Sequence, residues 1–133
     1  MNPWTASDLD TIGQAEEIAL SSLRANGILR PPVTIWVVAF GGSLYVRAVR
    51  GRSSPWFRGT QVGRIGHISV GAVERDVDIA DADDAIADNL DAVYRSKYRR
   101  YSQSTIDPIV SPAARSAALE LTPRDTNSAS PTH

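Results

Sequence analysis

A chain of 133 residues with 42% hydrophobic content is sized for one core rather than two. It has no cysteine, which excludes disulfides, thiol nucleophiles and thiolate metal sites, and its formal charge of -1 gives no overall pull toward nucleic acid or an anionic membrane. The charge is nonetheless uneven, with five arginines between Arg47 and Arg64 and seven aspartates between Asp76 and Asp91. The longest apolar run, Val33 to Phe40, is far short of the ~20 residues of a membrane helix. The N-terminal MNPWTASDLD lacks the basic-then-apolar order of a secretion signal, so a cytoplasmic location is expected.

In chain order, Ser7 precedes Asp10 at capping-box spacing and predicts a short helix through about Gln14, with Leu9 and Ile12 turned inward. The segment Glu16 to Ala25 is ambiguous by periodicity, and Asn26-Gly27 decides it as a strand entering a two-residue type I′ hairpin. Gly41-Gly42 repeats that chemistry one strand later. With both turns in place, Ile18 falls opposite Ile35 and Leu20 opposite Val33. Around the second turn, Ile35, Val37 and Ala39 fall opposite Ala48, Val46 and Leu44, so one face is wholly aliphatic. The opposite face gathers Trp36, Val38, Tyr45 and Arg47, with Trp36 opposite Arg47. Pro31 and Pro32, unable to donate to a ladder, are the residues able to shift the first register.

An arginine-rich loop follows, Arg50 to Gly59, carrying Pro55-Trp56. Beyond it, Arg64 to Val70 and Val73 to Ala80 alternate around Gly71-Ala72 and place Ile68, Val70, Val73, Val77 and Ile79 on one face. Arg75 is the exception on that face, and a pairing with a nearby carboxylate at the rim is expected. Asp84 to Tyr101 switches to helical period, with Ile86, Leu90, Val93, Tyr94, Tyr98 and Tyr101 as its apolar stripe and acids leading bases along the helix dipole. After breaks at Pro108 and Pro112, a last strand spans about Ala117 to Leu121. The expected class is α+β: six short, mostly antiparallel strands in a small barrel or curled sheet, a short N-terminal helix and a longer helix before the last strand. One domain is expected over residues 1–123 and a disordered polar tail over 124–133.

The run EEIALSSLRANGILRPPVTIWVVAFGGSLYVRAV, then SSPWFRG, the GHISVGAVERDVDI hairpin and the helix DAVYRSKY resemble the uncharacterised bacterial domain-of-unknown-function family 2255, over roughly Trp4 to Pro123. More distantly, the strand-turn-strand opening resembles the split β-barrel of pyridoxamine-phosphate-oxidase-like flavoproteins and of deazaflavin-dependent nitroreductases. That resemblance implies a homodimer and, in relatives, FMN or a deazaflavin at the subunit interface.

A phosphorylated flavin asks for cations or backbone N–H groups at its phosphate and a flat apolar wall at its ring. Arg47, Arg50, Arg52, Ser53, Ser54 and Arg58 offer the first, and Trp36, Tyr45 and Trp56 the second. The resemblance places phosphate at Arg47 and the Arg50 to Ser54 segment, although the lysine usual in that loop of pyridoxamine-phosphate-oxidase relatives is missing. Lys97, the single lysine, sits at the edge of the helix stripe and either snorkels to solvent or points into a neighbouring pocket.

Each residue also has a plainer reading: a cation–π contact with Trp36 for Arg47, a solvated turn for Arg50 and Arg52, and core plugs or dimer contacts for Trp56 and Phe57. His67 reads as a solvated histidine beside Glu74 and Asp76. Asp81, Asp83 and Asp84 read as helix-start acids, since Ala85 stands where a calcium loop needs glycine. No Ser-His-Asp set or carboxylate pair can be assembled. Two functions follow as expectations: a flavin- or deazaflavin-binding redox protein in which the cofactor carries the chemistry, or a non-enzymatic dimeric module holding a small anionic ligand or a partner protein on its Trp/Tyr/Arg face. Nucleic-acid binding is disfavoured by the acidic stretch.

Overall fold

The computed structural model describes residues 4–124. The tail expected over 124–133 lies, apart from Arg124, outside the described residues. Helix α1 (Ala6–Gly13) is capped two residues earlier than Ser7 would require, by Thr5, whose Oγ1 accepts the Asp8 N–H at 3.0 Å. Strand β1 (Ile18–Ser22) pairs with β2 (Val33–Ile35), and β3 (Val38–Phe40) pairs with β4 (Ser43–Arg47). Helix α2 (Pro55–Gly63) leads to the hairpin β5 (Ile65–Val70) and β6 (Val73–Asp81). Helices α3 (Ala87–Lys97), α4 (Gln103–Ile106) and α5 (Pro112–Ser116) precede β7 (Ala118–Pro123).

All seven strands form one antiparallel sheet in the order β2-β1-β5-β6-β7-β4-β3. The count of six is therefore corrected, and the reason lies in one segment. Thr34 to Phe40, expected as a single strand between two neighbours, breaks at Trp36-Val37. Its first half holds one edge of the sheet and its second half the other. The two edges meet at that break, which curls the sheet into a split barrel. The expected pairing of Trp36 with Arg47 does not form, because the β3–β4 ladder runs only from Val38↔Tyr45 to Phe40↔Ser43. Polar groups freed at the break are met from the C-terminal end of α3 and its cap: the Val37 N–H donates to the Tyr98 hydroxyl at 3.3 Å, and Lys97 Nζ donates to the Val37 carbonyl.

The first hairpin reaches its expected register by a different route. Gly27 has φ +86°, and it closes a three-residue turn in which the Arg24 N–H donates to the Ile28 carbonyl and the Gly27 N–H to the Arg24 carbonyl, both at 2.9 Å. The Leu23↔Leu29 bridge is one residue out of step with Leu20↔Val33. The extra residue is absorbed at Pro31-Pro32, so two local departures cancel and Ile18 still meets Ile35. Gly41 and Gly42, at φ +59° and +83°, make the expected two-residue turn.

The two faces bury against different things. Inside the barrel, Ile18, Leu20, Val37, Leu44, Val46, Ile68, Val77, Leu119 and Leu121 form an aliphatic core, with Trp4, Ile12 and Phe57 packed onto it. Trp4 also donates its indole N–H to the Leu121 carbonyl at 2.8 Å. On the outer face, Val38 and Tyr45 pack under Leu90 and Tyr94 of α3, Tyr98 at its C-cap, and Ile106 and Ile109 beyond it. Arg75, the charged residue in the apolar row, makes two hydrogen bonds to Asp8 of α1, at 3.0 and 3.1 Å, as a rim pairing requires.

Candidate functional site

The segment read as an arginine loop is mostly helix. Gly51, at φ +83°, turns the chain out of β4, donates to the Ala48 carbonyl at 2.9 Å and begins a short 3₁₀ turn. Ser54 then occupies the N-cap and Pro55 the first position of α2, a placement proline favours because the N–H it lacks has no intrahelical acceptor. The open N-terminus of α2 thus sits beside Arg50.

These residues border a cavity of about 590 Å³. Trp36 and Trp56 provide its aromatic surface, and Thr34, Ile35, Val49, Pro108 and Ile109 are among its remaining walls. Arg47, Arg50 and Ser54 bring polar groups to it, Thr105 adds a hydroxyl, and Glu17 is its single carboxylate among the described residues. Of the ten residues proposed from the sequence, the fold brings Trp36, Arg47, Arg50, Ser54 and Trp56 to this space. Tyr45, Arg52, Ser53, Arg58 and Lys97 lie elsewhere.

Each of those five has a local reason. Tyr45 is buried under α3, where burial and the Glu120 carboxylate push its hydroxyl pKa up. Arg52 donates to the Ser116 carbonyl at 3.0 Å and lies over the Phe57 ring at 5.1 Å. Ser53 and Arg58 face solvent. Lys97 is committed to the barrel break, where desolvation lowers its pKa from 10.5 to about 8 despite the favourable Glu16 carboxylate.

Arg47 is 1% exposed. Its guanidinium donates to Asp91 Oδ1 at 2.6 Å and to the carbonyls of Ile109 and Ala87 at 3.0 Å each, and it lies 5.4 Å from the centre of the Tyr94 ring. The expected cation–π partner, Trp36, instead stacks on Tyr98 at 3.8 Å and 6°. Asp91 also accepts from Arg115, which pairs onward with Asp88. The Arg47 charge is therefore matched within the protein, and one donor, Nε, is buried without a partner. Arg50 differs: it is exposed and has no carboxylate partner among the described residues.

The other candidates resolve as ordinary surface chemistry. His67 lies on the sheet between Asp76 and Glu74, at 2.9 Å from each, and the Asp76 hydrogen bond is the main cause of its raised pKa. Asp83 caps Ala85 at 2.9 Å and Asp81 pairs with Arg64 at 3.1 Å. The sequence reading missed Glu17, Thr105, Pro108 and Ile109. The last three come from a segment taken as breaks between elements.

Against known proteins, residues 8–121 match the family model described as "Uncharacterized protein conserved in bacteria (DUF2255)". The chain belongs to the DUF2255 family. No curated protein matches it. Among solved structures, the chain is similar to a putative pyridoxamine 5′-phosphate oxidase from Listeria innocua, at 14% identity and TM-score 0.63, covering 90% of this chain and 92% of that one. It is also similar to the heme storage protein HutZ from Vibrio cholerae, at 12% identity and TM-score 0.61 with 90% of each chain covered. An F420 reductase aligns at 13% identity and TM-score 0.56, covering 87% of this chain and 92% of that one. At these identities the likeness establishes the fold of this DUF2255 member. No helix among its described residues is long and apolar enough to cross a membrane.

Proposed function

We propose that this DUF2255 protein is a homodimeric, cytoplasmic redox protein of the split-barrel type that binds FMN or a deazaflavin in the cavity beside α2. The observation that carries the reading is a cavity with Trp36 and Trp56 on its wall and, at its rim, the unpaired cation Arg50 close to the open N-terminus of α2. The cavity's volume of about 590 Å³ lies within the ~300–1,000 Å³ of small-molecule sites.

The residues present fit the group. Arg50 and the Ser54 end of α2 would meet the phosphate through a free guanidinium and the helix N–H groups, and Trp36 and Trp56 would face the ring. A bound flavin supplies electron or hydride transfer. The chain's own residues would orient it and exclude water. Heme, the ligand named for one structural neighbour, fits less well, because the cavity lining contains no histidine, cysteine, methionine or tyrosine to hold iron.

The test is direct: the visible spectrum of the purified protein, then titration with FMN, riboflavin and a deazaflavin. Arg50→Gln is expected to weaken FMN about tenfold while leaving riboflavin, which has no phosphate, unchanged. Failure of all three to bind sinks the redox reading. Binding of a colourless anion alone would favour a non-enzymatic, anion-binding module. The homodimer is checked by the mass of the species in solution.

A further inference from the structure

A second cavity, of about 230 Å³, adjoins the first across Pro55 and Trp56, which line both. Its polar side chains are Ser22, Arg24, Arg30 and Thr60, and no carboxylate borders it. Neither arginine pairs with an acid among the described residues. Arg30 is held in place by its own backbone N–H, which donates to the Ser22 carbonyl at 2.9 Å, yet its Nε is buried with no partner.

The room for that guanidinium comes from one residue. Gly59, on α2, faces Arg30 so closely that a Cβ there would stand 2.8 Å from Arg30 Nε and 3.0 Å from Ser22 Oγ. Two cations brought together without a counter-charge, one with an orphaned donor, form the complement of an oxyanion. At 230 Å³ the space admits the end of a molecule rather than a whole cofactor.

We propose that this second cavity binds the oxyanion end of a small molecule, a carboxylate or a phosphate, through Arg30 and Arg24. As an anion site it stands on the second cavity alone. Its role as the substrate subsite, with the rest of the molecule passing Trp56 toward the first cavity, rests on the redox reading above.

The experiment is an NMR titration of the full-length, flavin-free protein with inorganic phosphate and with succinate, following the Arg30 Nε–H and Gly59 amide signals. Saturable shifts of both signals with either anion are expected, and the tighter of the two assigns the headgroup. Arg30→Gln and Gly59→Ala should each raise the dissociation constant at least about tenfold. Arg58→Gln, on an exposed neighbour outside the second cavity, should leave it unchanged. Gly59→Ala keeps the test alive if Arg30→Gln fails to fold, because the clash it creates is with the far end of a flexible side chain and a helix favours alanine. No saturable shift with either anion, or equal affinity in Gly59→Ala, overturns the proposal. Because no flavin is present, loss of flavin binding in Arg50→Gln bears on the first cavity and this result on the second.

Discussion

The barrel interior and the layer beneath α3 solve burial in opposite ways. The interior is filled mainly by aliphatic side chains, and the one long-range hydrogen bond made by its side chains among the described residues is the Trp4 indole to the Leu121 carbonyl. The layer beneath α3 buries Arg47, Tyr94 and Tyr98 completely and Lys97 in part, and most of their polar partners lie 40 to 82 residues away in sequence. The difference assigns the work: the interior fixes the shape, while the α3 layer closes the barrel break and holds Arg47 beside the first cavity. Because buried polar groups are costly when unpaired, the second layer should respond more sharply to small changes than its size implies.

Arg47 is where the contrast is largest. Arg47→Ala removes four protein contacts and leaves Asp91 with Arg115 alone, so a loss of about 4 kcal/mol is expected in urea unfolding, in the range for breaking a buried pair. A stable, cooperative Arg47→Ala protein that had lost only ligand affinity would instead make Arg47 a binding residue. In the interior the matching test is steric. Gly66 in β5 sits so close to β1 that an added Cβ would stand 2.6 Å from the Ser21 carbonyl oxygen, which is backbone and cannot swing away. Gly66→Ala should cost about 3 kcal/mol, at the upper end for overpacking.

A tyrosine pair then separates satisfied from unsatisfied polar burial within one layer. The Tyr98 hydroxyl donates to the Glu16 carbonyl at 2.7 Å and accepts from Val37, whereas the Tyr94 hydroxyl is buried without a partner. Tyr98→Phe should lose about 1–2 kcal/mol and Tyr94→Phe should be neutral or slightly stabilising. Equal effects of the two, measured by urea unfolding, would mean the hydroxyls do not distinguish the barrel break from its surroundings.

This division also explains what could be read from the residues. Alternation with period two and glycine turns are local signals, so the aliphatic face of Ile35, Val37, Ala39, Leu44 and Val46 was legible. So were the Val70↔Val73 and Ile68↔Arg75 pairings. Alternation says nothing of which partner a strand keeps, which is why the break at Trp36-Val37 and the seventh strand were not visible. Pro55 behind Ser54 did carry a helix-start signal, but the surrounding arginines read as a loop. The first cavity was half legible: Trp36, Arg47, Arg50, Ser54 and Trp56 lie within one stretch of chain, while Thr105, Pro108 and Ile109 arrive from a segment some 50 residues later. Arg47 was found as a residue and misread as a free cation, because its acid, Asp91, comes from α3.

The smallest expected effect probes Lys97 through pH. Its amine faces the Val37 carbonyl and the Tyr98 ring, with Glu16 the carboxylate whose field favours its charge, and desolvation lowers its folded pKa from 10.5 to about 8. Between about pH 8 and 10 the unfolded chain therefore holds more protons on this residue than the folded one. The unfolding free energy contributed by Lys97 must rise with pH across that window. Tyr98 and Tyr101, whose pKa values are raised by burial and by Glu16 respectively, act in the opposite direction at higher pH and bound the window from above. Unfolding midpoints at pH 7.5 and 9.5 should therefore differ in the wild type by a positive increment that Lys97→Met abolishes. An increment of the same size in Lys97→Met would place the titrating group elsewhere and leave the barrel break closed by Tyr98 alone.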